Sequence, residues 1–351
     1  MLAHRPGSVN RGGCFATPAA WGILDVMYPY DYADTPADFS LEVTQRRPHW
    51  ERYRVEFRPA APTRYESAGR AYGQYFRPKA AGQPAPLVVM LHGVGDASTV
   101  PCRWLARHLA GHGIASFVLY LPLHSSRLPD GSGRSVPRWG DDEWFECYRS
   151  SVVEVRQVLD WAATRPELDA GHLGVFGISF GGFVAAIAMG VDRRLRAGVL
   201  VVSGGNSGRI VWEARARVVR GSFRMDRREY QEGQAVYAAY LSEVVRRGVE
   251  RVEPPRRSYL NDPMTFAHLL RGRPLLMLNA RWDEFVPRRA VLDFWEAAGR
   301  PELVWLPTTH ASIWLLYPRI RRVVTGFLRR SLGPAGVPPS AGVAKQPPRP
   351  V

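Results

Sequence analysis

The sequence has little cysteine, almost no lysine and no long hydrophobic segment. Its three cysteines, Cys14, Cys102 and Cys147, are odd in number and lack the spacing of a disulfide framework. We therefore expect reduced thiols and a cytoplasmic protein. No run approaches the roughly 18 apolar residues that a membrane-spanning helix needs. The first residues also lack the apolar centre of a secretory signal, so neither a membrane span nor standard secretion is expected.

Basic residues outnumber acidic residues. Lysine and arginine total 47 against 32 aspartate and glutamate, a formal net charge of +15. Such an excess can attract nucleic acid, but nearly all the cations are arginines scattered along the chain rather than clustered in a stripe. This dispersal predicts no nucleic-acid partner. Histidine, cysteine and carboxylate residues show no metal-ligand spacing, so neither a metal nor an organic cofactor is expected.

Apolar runs that are typical of strands buried on both faces alternate with helical patterns. The runs are at residues 86–91, 114–121, 173–178, 197–202, 274–280 and 303–306. Two earlier segments, 52–57 and 69–76, alternate apolar and polar residues, which favours antiparallel strands with one wet face. The order of elements predicts an α/β fold with a doubly wound, mostly parallel sheet and right-handed crossovers. A chain of 351 residues is long enough for one such domain.

One stretch carries a distinctive motif. Gly177-Ile178-Ser179-Phe180-Gly181 follows the run at 173–178 and precedes a small-residue helical segment. A strand, a sharp turn and a helix in this order place a serine in a strained conformation with its hydroxyl exposed, and the glycines let strand and helix approach closely. A glycine-rich chain can contain Gly-x-Ser-x-Gly by chance, so the rest of the sequence must support the interpretation.

A serine hydroxyl becomes an effective nucleophile only when a histidine, oriented by a carboxylate, takes its proton. Asp283 follows the run at 274–280, and His310 follows the run at 303–306. Because strand ends on one side of a parallel sheet lie together, the loops with Ser179, Asp283 and His310 are expected to converge. Asp262 and His268 are rival acid and base candidates, and Glu284 is a rival to its neighbour Asp283.

Together these segments resemble the α/β-hydrolase fold superfamily, and within it the dienelactone-hydrolase and acetyl-xylan-esterase-like branch. The resemblance covers about residues 50–330. Its motifs are Leu91-His92-Gly93-Val94-Gly95, the Ser179 motif, the block Asp283-Glu284-Phe285-Val286-Pro287, and His310. Ala280 stands where the family often has glycine, and Ser179 stands where true dienelactone hydrolases have cysteine.

The resemblance implies a role for each matching residue. Ser179 would be the nucleophile, His310 the base and Asp283 the acid that orients it, while the backbone amides of Val94 and Phe180 would form the oxyanion hole. Three more residues are candidates for substrate contact: His92, His124 and Trp282. For the two histidines, bracing of their own loops is the alternative.

The resemblance also predicts how the chain is divided. Residues 46–331 would form the hydrolase domain, with residues 203–270 as a helical cap inserted between two strands. Residues 1–45 have no clear period and are expected to be irregular, and residues 332–351 are rich in proline and glycine and are expected to be a flexible tail.

The expected function is hydrolysis of a small-molecule carboxylic ester, as in an esterase or deacetylase, through an acyl-enzyme intermediate. A serine peptidase and an acyltransferase are alternatives on the same fold, because the fold constrains the nucleophile more than the substrate. A non-catalytic binding or scaffold protein is an alternative of a different class. The sequence leaves the oligomeric state open.

Overall fold

A single large sheet organises the computed structural model, which describes residues 29–33, 38–65, 69–79, 83–94, 99–122, 127–128, 140–222 and 226–333. Its strands are β1 (Ser40–Arg46), β2 (Trp50–Phe57), β3 (Ala71–Pro78), β4 (Ala85–Leu91), β5 (Ala115–Leu119), β6 (Leu168–Ile178), β7 (Leu195–Val201), β8 (Leu275–Ala280) and β9 (Glu302–Leu306). The nine strands lie in the order β1-β2-β3-β5-β4-β6-β7-β8-β9. Strands β1, β2 and β3 pair with antiparallel neighbours, and β3 also pairs antiparallel with β5. From β5 to β9 every pairing is parallel.

Helices cover both faces of the sheet. They are α1 (Thr99–Ala110), α2 (Asp141–Ala163), α3 (Phe180–Val191), α4 (Ser207–Glu213), α5 (Arg217–Ser222), α6 (Arg227–Arg247), α7 (Pro263–Ala267), α8 (Arg288–Ala297) and α9 (Tyr317–Leu332). Alternate residues of β4 face opposite sides, as expected for a strand. Leu87, Val89 and Leu91 pack in the core shared with α2 and α3, whereas Val88 and Met90 pack in the core shared with α1 and α9. The predicted doubly wound, mostly parallel sheet is confirmed.

The N-terminal edge of the sheet corrects one expectation. Residues 1–45 were predicted to be irregular, but Ser40–Arg46 pairs with β2 as strand β1. This strand is mostly exposed and contains few large apolar residues. Its order comes from backbone hydrogen bonds to β2 rather than from burial, so the hydrophobic pattern could not reveal it.

The segment between β7 and β8 holds α4, α5, α6 and α7. Helix α6 begins with a capping box, in which Asp226 accepts from the Glu229 amide and Glu229 accepts from the Asp226 amide. It ends at Gly248, whose φ is 89°. The buried side chains of α6, Tyr237, Tyr240 and Val244, join the core on the α2 and α3 side of the sheet. The inserted helices therefore share the main core.

A buried ion pair ties the chain beyond β5 to helix α2. The Arg127 side chain is fully buried, and its two terminal nitrogens donate to the two carboxylate oxygens of Glu154 at 2.7 and 2.8 Å. Arg127 also donates to the Tyr120 carbonyl at 2.8 Å, and the Ser150 hydroxyl donates to Glu154 at 3.2 Å. A bidentate pair with further hydrogen bonds is the geometry in which a buried charge is tolerated.

Within the parts of the chain that the structure describes, no helix is both long enough and apolar enough to cross a membrane.

We expect Glu154→Gln to lower the free energy of unfolding by about 3 kcal/mol or more, because it leaves the Arg127 charge buried without a counter-charge. Denaturant unfolding followed by circular dichroism measures the change. The matched control is Glu232→Gln, which breaks the ion pair between Glu232 and Arg228. Their side chains are 61% and 85% exposed, respectively. That control should leave stability unchanged, and equal effects of the two substitutions would contradict the prediction.

Candidate active site

Ser179 lies at the turn between β6, which ends at Ile178, and α3, which begins at Phe180. Its backbone has φ 51° and ψ −117°, a conformation that costs a non-glycine residue about 1–3 kcal/mol. The surrounding backbone holds it there. The Ser179 amide donates to the Val201 carbonyl at 2.8 Å, and the Ser179 carbonyl accepts from the Gly182 amide at 2.8 Å. The turn therefore presents a partly exposed serine at the ends of the central strands.

Two glycines are required at this turn because backbone meets backbone. A Cβ atom on Gly177 would lie 2.1 Å from the Gly181 carbonyl oxygen, and one on Gly181 would lie 2.4 Å from the Leu91 carbonyl oxygen. Neither neighbour can move without moving a strand or a helix. The absence of these side chains lets the start of α3 rest directly against the end of β4.

His310 reaches Ser179 from the loop after β9. Its Nε2 atom lies 3.0 Å from the Ser179 hydroxyl oxygen. Its Nδ1 atom lies 2.9 and 2.8 Å from the two carboxylate oxygens of Asp283, in the loop after β8. The Asp283 side chain is 4% exposed and that of His310 is 15% exposed. The three side chains form one hydrogen-bonded path, and its Asp283 end is almost fully buried.

The loops that carry Asp283 and His310 are aligned by hydrogen bonds that continue beyond the β8–β9 pairing. The Arg281 amide donates to the Leu306 carbonyl at 2.8 Å, and the Trp282 amide donates to the Thr308 carbonyl at 3.0 Å. Asp283 is then oriented by its own loop, because one of its oxygens accepts from the amides of Phe285 and Val286, both at 2.8 Å. The carboxylate therefore has a defined direction before it meets the histidine.

This geometry selects one form of the imidazole. A carboxylate only accepts hydrogen bonds, so the proton of neutral His310 lies on Nδ1 and the Nε2 lone pair faces the Ser179 hydroxyl. That arrangement can take a proton from serine and can stabilise the imidazolium that results. Among the described residues, no group of three histidine, cysteine or carboxylate residues could hold a metal ion.

Two residues next to Asp283 support His310. Glu284, which the sequence offered only as a rival acid, accepts from the His310 backbone amide at 3.0 Å. The Phe285 ring lies 4.8 Å from the His310 ring. Sequence reasoning missed both contacts, although the position of these residues beside Asp283 was the available signal. Glu284 limits the movement of the His310 backbone, and Phe285 limits the movement of its ring.

The two residues expected to supply oxyanion-hole amides lie at adjoining chain ends. Val94 follows β4 and is 44% exposed, while Phe180 is the buried first residue of α3. The carbonyl oxygens of Leu91 and His92 lie beside Gly181, which brings the loop after β4 against the start of α3. The Phe180 ring packs on the Tyr148 ring at 5.0 Å. The oxyanion role of the two amides stays a prediction.

The three residues expected to contact substrate differ in position. His92 is fully buried, its Nε2 accepts from the Leu121 amide at 3.0 Å, and its Nδ1 donates to the Gly93 carbonyl at 2.7 Å. This geometry favours the alternative role, in which His92 braces the loop after β4, because neither ring nitrogen is left for a substrate. Trp282 is 52% exposed beside Asp283. His124 lies outside the described residues.

The rival candidates Asp262 and His268 lie outside the hydrogen-bonded path that ends at Ser179. The Asp262 carboxylate caps two helices by accepting from the amides of Asn206, Ser207 and Met264. Burial lowers the pKa of His268, and Arg271 lowers it further. Neither residue is hydrogen-bonded to Ser179 or His310.

Sequence comparison finds one family and two relatives. A family model described as "Alpha/beta hydrolase domain containing 18" matches residues 60–209, which include Ser179 but neither Asp283 nor His310. Uncharacterised proteins from two strains of Mycobacterium tuberculosis are each 25% identical over 271 residues, covering 71% of this chain and 55% of theirs. The chain spans about half the length of these relatives.

Solved structures resemble most of this chain in fold. An acetyl xylan esterase from Paenibacillus sp. R4 has a TM-score of 0.62 at 20% identity, and acetyl xylan esterase 1 from Thermoanaerobacterium sp. JW/SL YS485 has 0.58 at 15%. Each match covers 85% of this chain and 90% of the other. The α/β hydrolase GrgF from Penicillium sp. sh18 has 0.52 at 20%, over 80% of this chain and 99% of its own. At such identities the likeness is one of fold.

We expect Gly181→Ala to lower the free energy of unfolding by about 2 kcal/mol or more, because the added methyl would overlap the end of β4. The matched control is Gly233→Ala, within α6, where an added Cβ has no neighbour within 4 Å. Alanine there should stabilise the protein by about 0.5–1 kcal/mol. Denaturant unfolding compares the two variants, and a Gly181→Ala protein as stable as the wild type would contradict the packing described for the turn.

Proposed function

We propose that this chain is a serine hydrolase that cleaves a carboxylic ester. It has the α/β-hydrolase fold, and the side chains of Ser179, His310 and Asp283 are hydrogen-bonded to one another within it. The observation that carries the proposal is the path from the Asp283 carboxylate through the His310 ring to the Ser179 hydroxyl. The names of the similar structures support an ester as the substrate class, since two of them are acetyl xylan esterases.

In the first half of the proposed reaction, the Ser179 hydroxyl oxygen attacks the ester carbonyl carbon while His310 Nε2 takes the hydroxyl proton. The carbonyl oxygen becomes an oxyanion, which the backbone amides of Val94 and Phe180 would stabilise. As the bond to the alcohol oxygen breaks, the imidazolium returns its proton to that oxygen. The alcohol leaves, and the acyl group stays on Ser179.

In the second half, a water molecule takes the place of the alcohol. His310 Nε2 accepts a proton from the water as its oxygen attacks the acyl carbon. The new oxyanion collapses, the bond to Ser179 breaks, and the proton on His310 passes to the serine oxygen. A carboxylic acid is released and the enzyme returns to its starting state.

Asp283 acts on the reaction through His310. Its carboxylate accepts a hydrogen bond from the Nδ1–H group of His310 and stabilises the imidazolium that forms in both half-reactions. The buried position of Asp283 and the two amides that it accepts from keep it in this orientation. Glu284 and Phe285 are positioning residues, because they hold the backbone and one face of the His310 ring.

We also propose that residues 203–270 form a cap beside the site, within a hydrolase domain of residues 46–331. Support comes from the amides of Arg215 and Ala216, which donate to the Glu284 carbonyl at 2.9 and 2.8 Å. The inserted segment therefore contacts the loop that carries the proposed acid. A cap in this place would border the substrate pocket and restrict the size of the ester.

The proposed substrate is a small-molecule ester, and the chemistry needs no metal or organic cofactor, because the serine, the histidine and the backbone amides supply every step. We propose the cytoplasm as the compartment only because the three cysteines lack the spacing of a disulfide framework.

We expect Ser179→Ala to abolish hydrolysis of p-nitrophenyl acetate and p-nitrophenyl butyrate, because no other hydroxyl among the described residues shares a hydrogen bond with His310. Initial rates of purified wild type and variant measure the loss, and the ratio of the two esters begins to size the acyl pocket. The matched control is Ser207→Ala at the exposed start of α4, which should retain full activity.

Labelling by a fluorophosphonate probe, located by peptide mass spectrometry, tests the same serine without requiring the natural substrate. Labelling at Ser179 is expected in the wild type and in Ser207→Ala. Folded wild-type protein that neither labels nor hydrolyses either ester would favour the non-catalytic scaffold.

We expect Asp283→Asn to lower turnover by about 10⁴-fold, because an amide cannot hold the His310 tautomer that accepts from serine. Steady-state kinetics on p-nitrophenyl acetate measure the effect, and unfolding curves confirm that the variant folds. Glu284→Gln is the matched control, since glutamine can still accept from the His310 amide, and its turnover should fall much less. A larger loss in Glu284→Gln would assign the acid role to Glu284.

A further inference from the structure

A second concave site lies on the antiparallel side of the sheet, away from the triad residues. Its cavity volume is about 360 Å³. The residues around it come from β1, β2, β3 and the end of β5: Thr44, Arg52, Arg54, Tyr72, Gly73, Gln74 and Tyr120. Arg52 pairs with Phe76 across β2 and β3, and Phe76 packs in the core that contains α1. The pocket therefore opens on the face of the sheet that α1 covers.

Arg52 is half-buried in this pocket without a counter-charge. Its Nε donates to the Thr44 hydroxyl at 3.0 Å, and among the described residues no carboxylate lies within ion-pair distance of its guanidinium. Arg54, by contrast, pairs with Glu56 at 2.6 Å. The two terminal nitrogens of Arg52 are thus donors without an anionic acceptor.

Two further cations, on α1, act on the charge of Arg52. Arg103 and Arg107 are one helical turn apart, and no carboxylate in the described parts of the chain pairs with either. Burial lowers the pKa of Arg52, and the charges of Arg107 and Arg103 lower it further. The arginines that line the cavity are Arg52 and Arg54. An anion bound beside Arg52 would offset its repulsion by Arg103 and Arg107, and an anion with two charges gains more than an anion with one.

The opposite wall of the pocket is aromatic and offers an acceptor. The rings of Tyr72 and Tyr120 are stacked with centroids 4.8 Å apart. The Gln74 Nε2 donates to the Tyr120 hydroxyl at 3.1 Å, while the Gln74 Oε1 is buried and accepts no hydrogen bond from the described residues.

We propose that this pocket binds a small organic phosphate, with the phosphate on the Arg52 guanidinium and the organic part against Tyr72 and Tyr120. Arginine presents parallel N–H donors that match the oxygens of phosphate. The two charges of a phosphate monoester also suit a pocket lined by Arg52 and Arg54 better than the single charge of a carboxylate does.

The pocket is distinct from the proposed catalytic centre, and one ring contact links it to the loop after β4. The Tyr120 ring lies 6.0 Å from the ring of His92, the residue that braces the loop after β4. Binding in the pocket requires neither Ser179 nor His310, so the Ser179→Ala protein should bind the ligand as the wild type does. That variant separates a failure of this proposal from a failure of the proposed ester hydrolysis.

Isothermal titration of phenyl phosphate into the full chain at low ionic strength tests the proposal. Wild type and Ser179→Ala should show saturable binding to one site, and benzoate should bind more weakly. Arg52→Gln should raise Kd by about tenfold or more, since it removes hydrogen bonds to a charged group. Arg103→Gln should raise Kd less. Arg228→Gln, which makes the same change of charge on the exposed face of α6, should leave Kd unchanged.

The proposal is overturned if the wild type shows no saturable binding or if Kd is unchanged in Arg52→Gln. It is also overturned if Kd rises equally in Arg228→Gln, because that result would show a general attraction of anions to a basic surface. Benzoate that binds as tightly as phenyl phosphate would overturn the assignment of phosphate. Thermal unfolding checks that each variant is folded, and Arg103→Gln carries the test if Arg52→Gln does not fold.

Discussion

The candidate active site depends on a contact between backbones. Gly177 and Gly181 let the start of α3 lie against the ends of β6 and β4 with no side chain between them. That contact holds Ser179 at a positive φ that an isolated serine would avoid. It also brings the loop after β4 beside the serine. The proposed nucleophile and the loop after β4 are therefore brought together by one packing arrangement.

The other half of the site depends on the order of strands. Because β8 and β9 are parallel neighbours, their loops emerge side by side, and hydrogen bonds of Arg281 and Trp282 extend the pairing into those loops. Asp283 and His310 then meet although 27 positions separate them in the chain. Glu284 and Phe285 complete the support of the histidine from the same loop. A small rigid framework thus aligns residues that lie far apart in sequence.

Hydrophobic pattern and motif spacing predicted the central part of this protein well, and its periphery less well. The buried strands were predictable because continuous apolar runs have few alternatives in a chain of this kind. Strand β1 was not, since its residues are mostly exposed and its order comes from pairing with β2. The contact of Glu284 with the His310 amide and the pocket around Arg52 were equally hidden, because both join residues whose types are common on any surface.

The amino-acid sequence alone determined the class of fold, the strained turn at Ser179 and the order in which Ser179, Asp283 and His310 follow one another. These are local properties, set by apolar periodicity and by glycines at defined spacing. Only the tertiary structure decided that Glu284 holds the histidine backbone rather than its ring and that His92 turns both nitrogens to the backbone. It also decided that no carboxylate of the described residues pairs with Arg52. The physical reason is that hydrogen bonds and ion pairs depend on distances of a few ångströms between distant residues, which the packing of the sheet and helices sets.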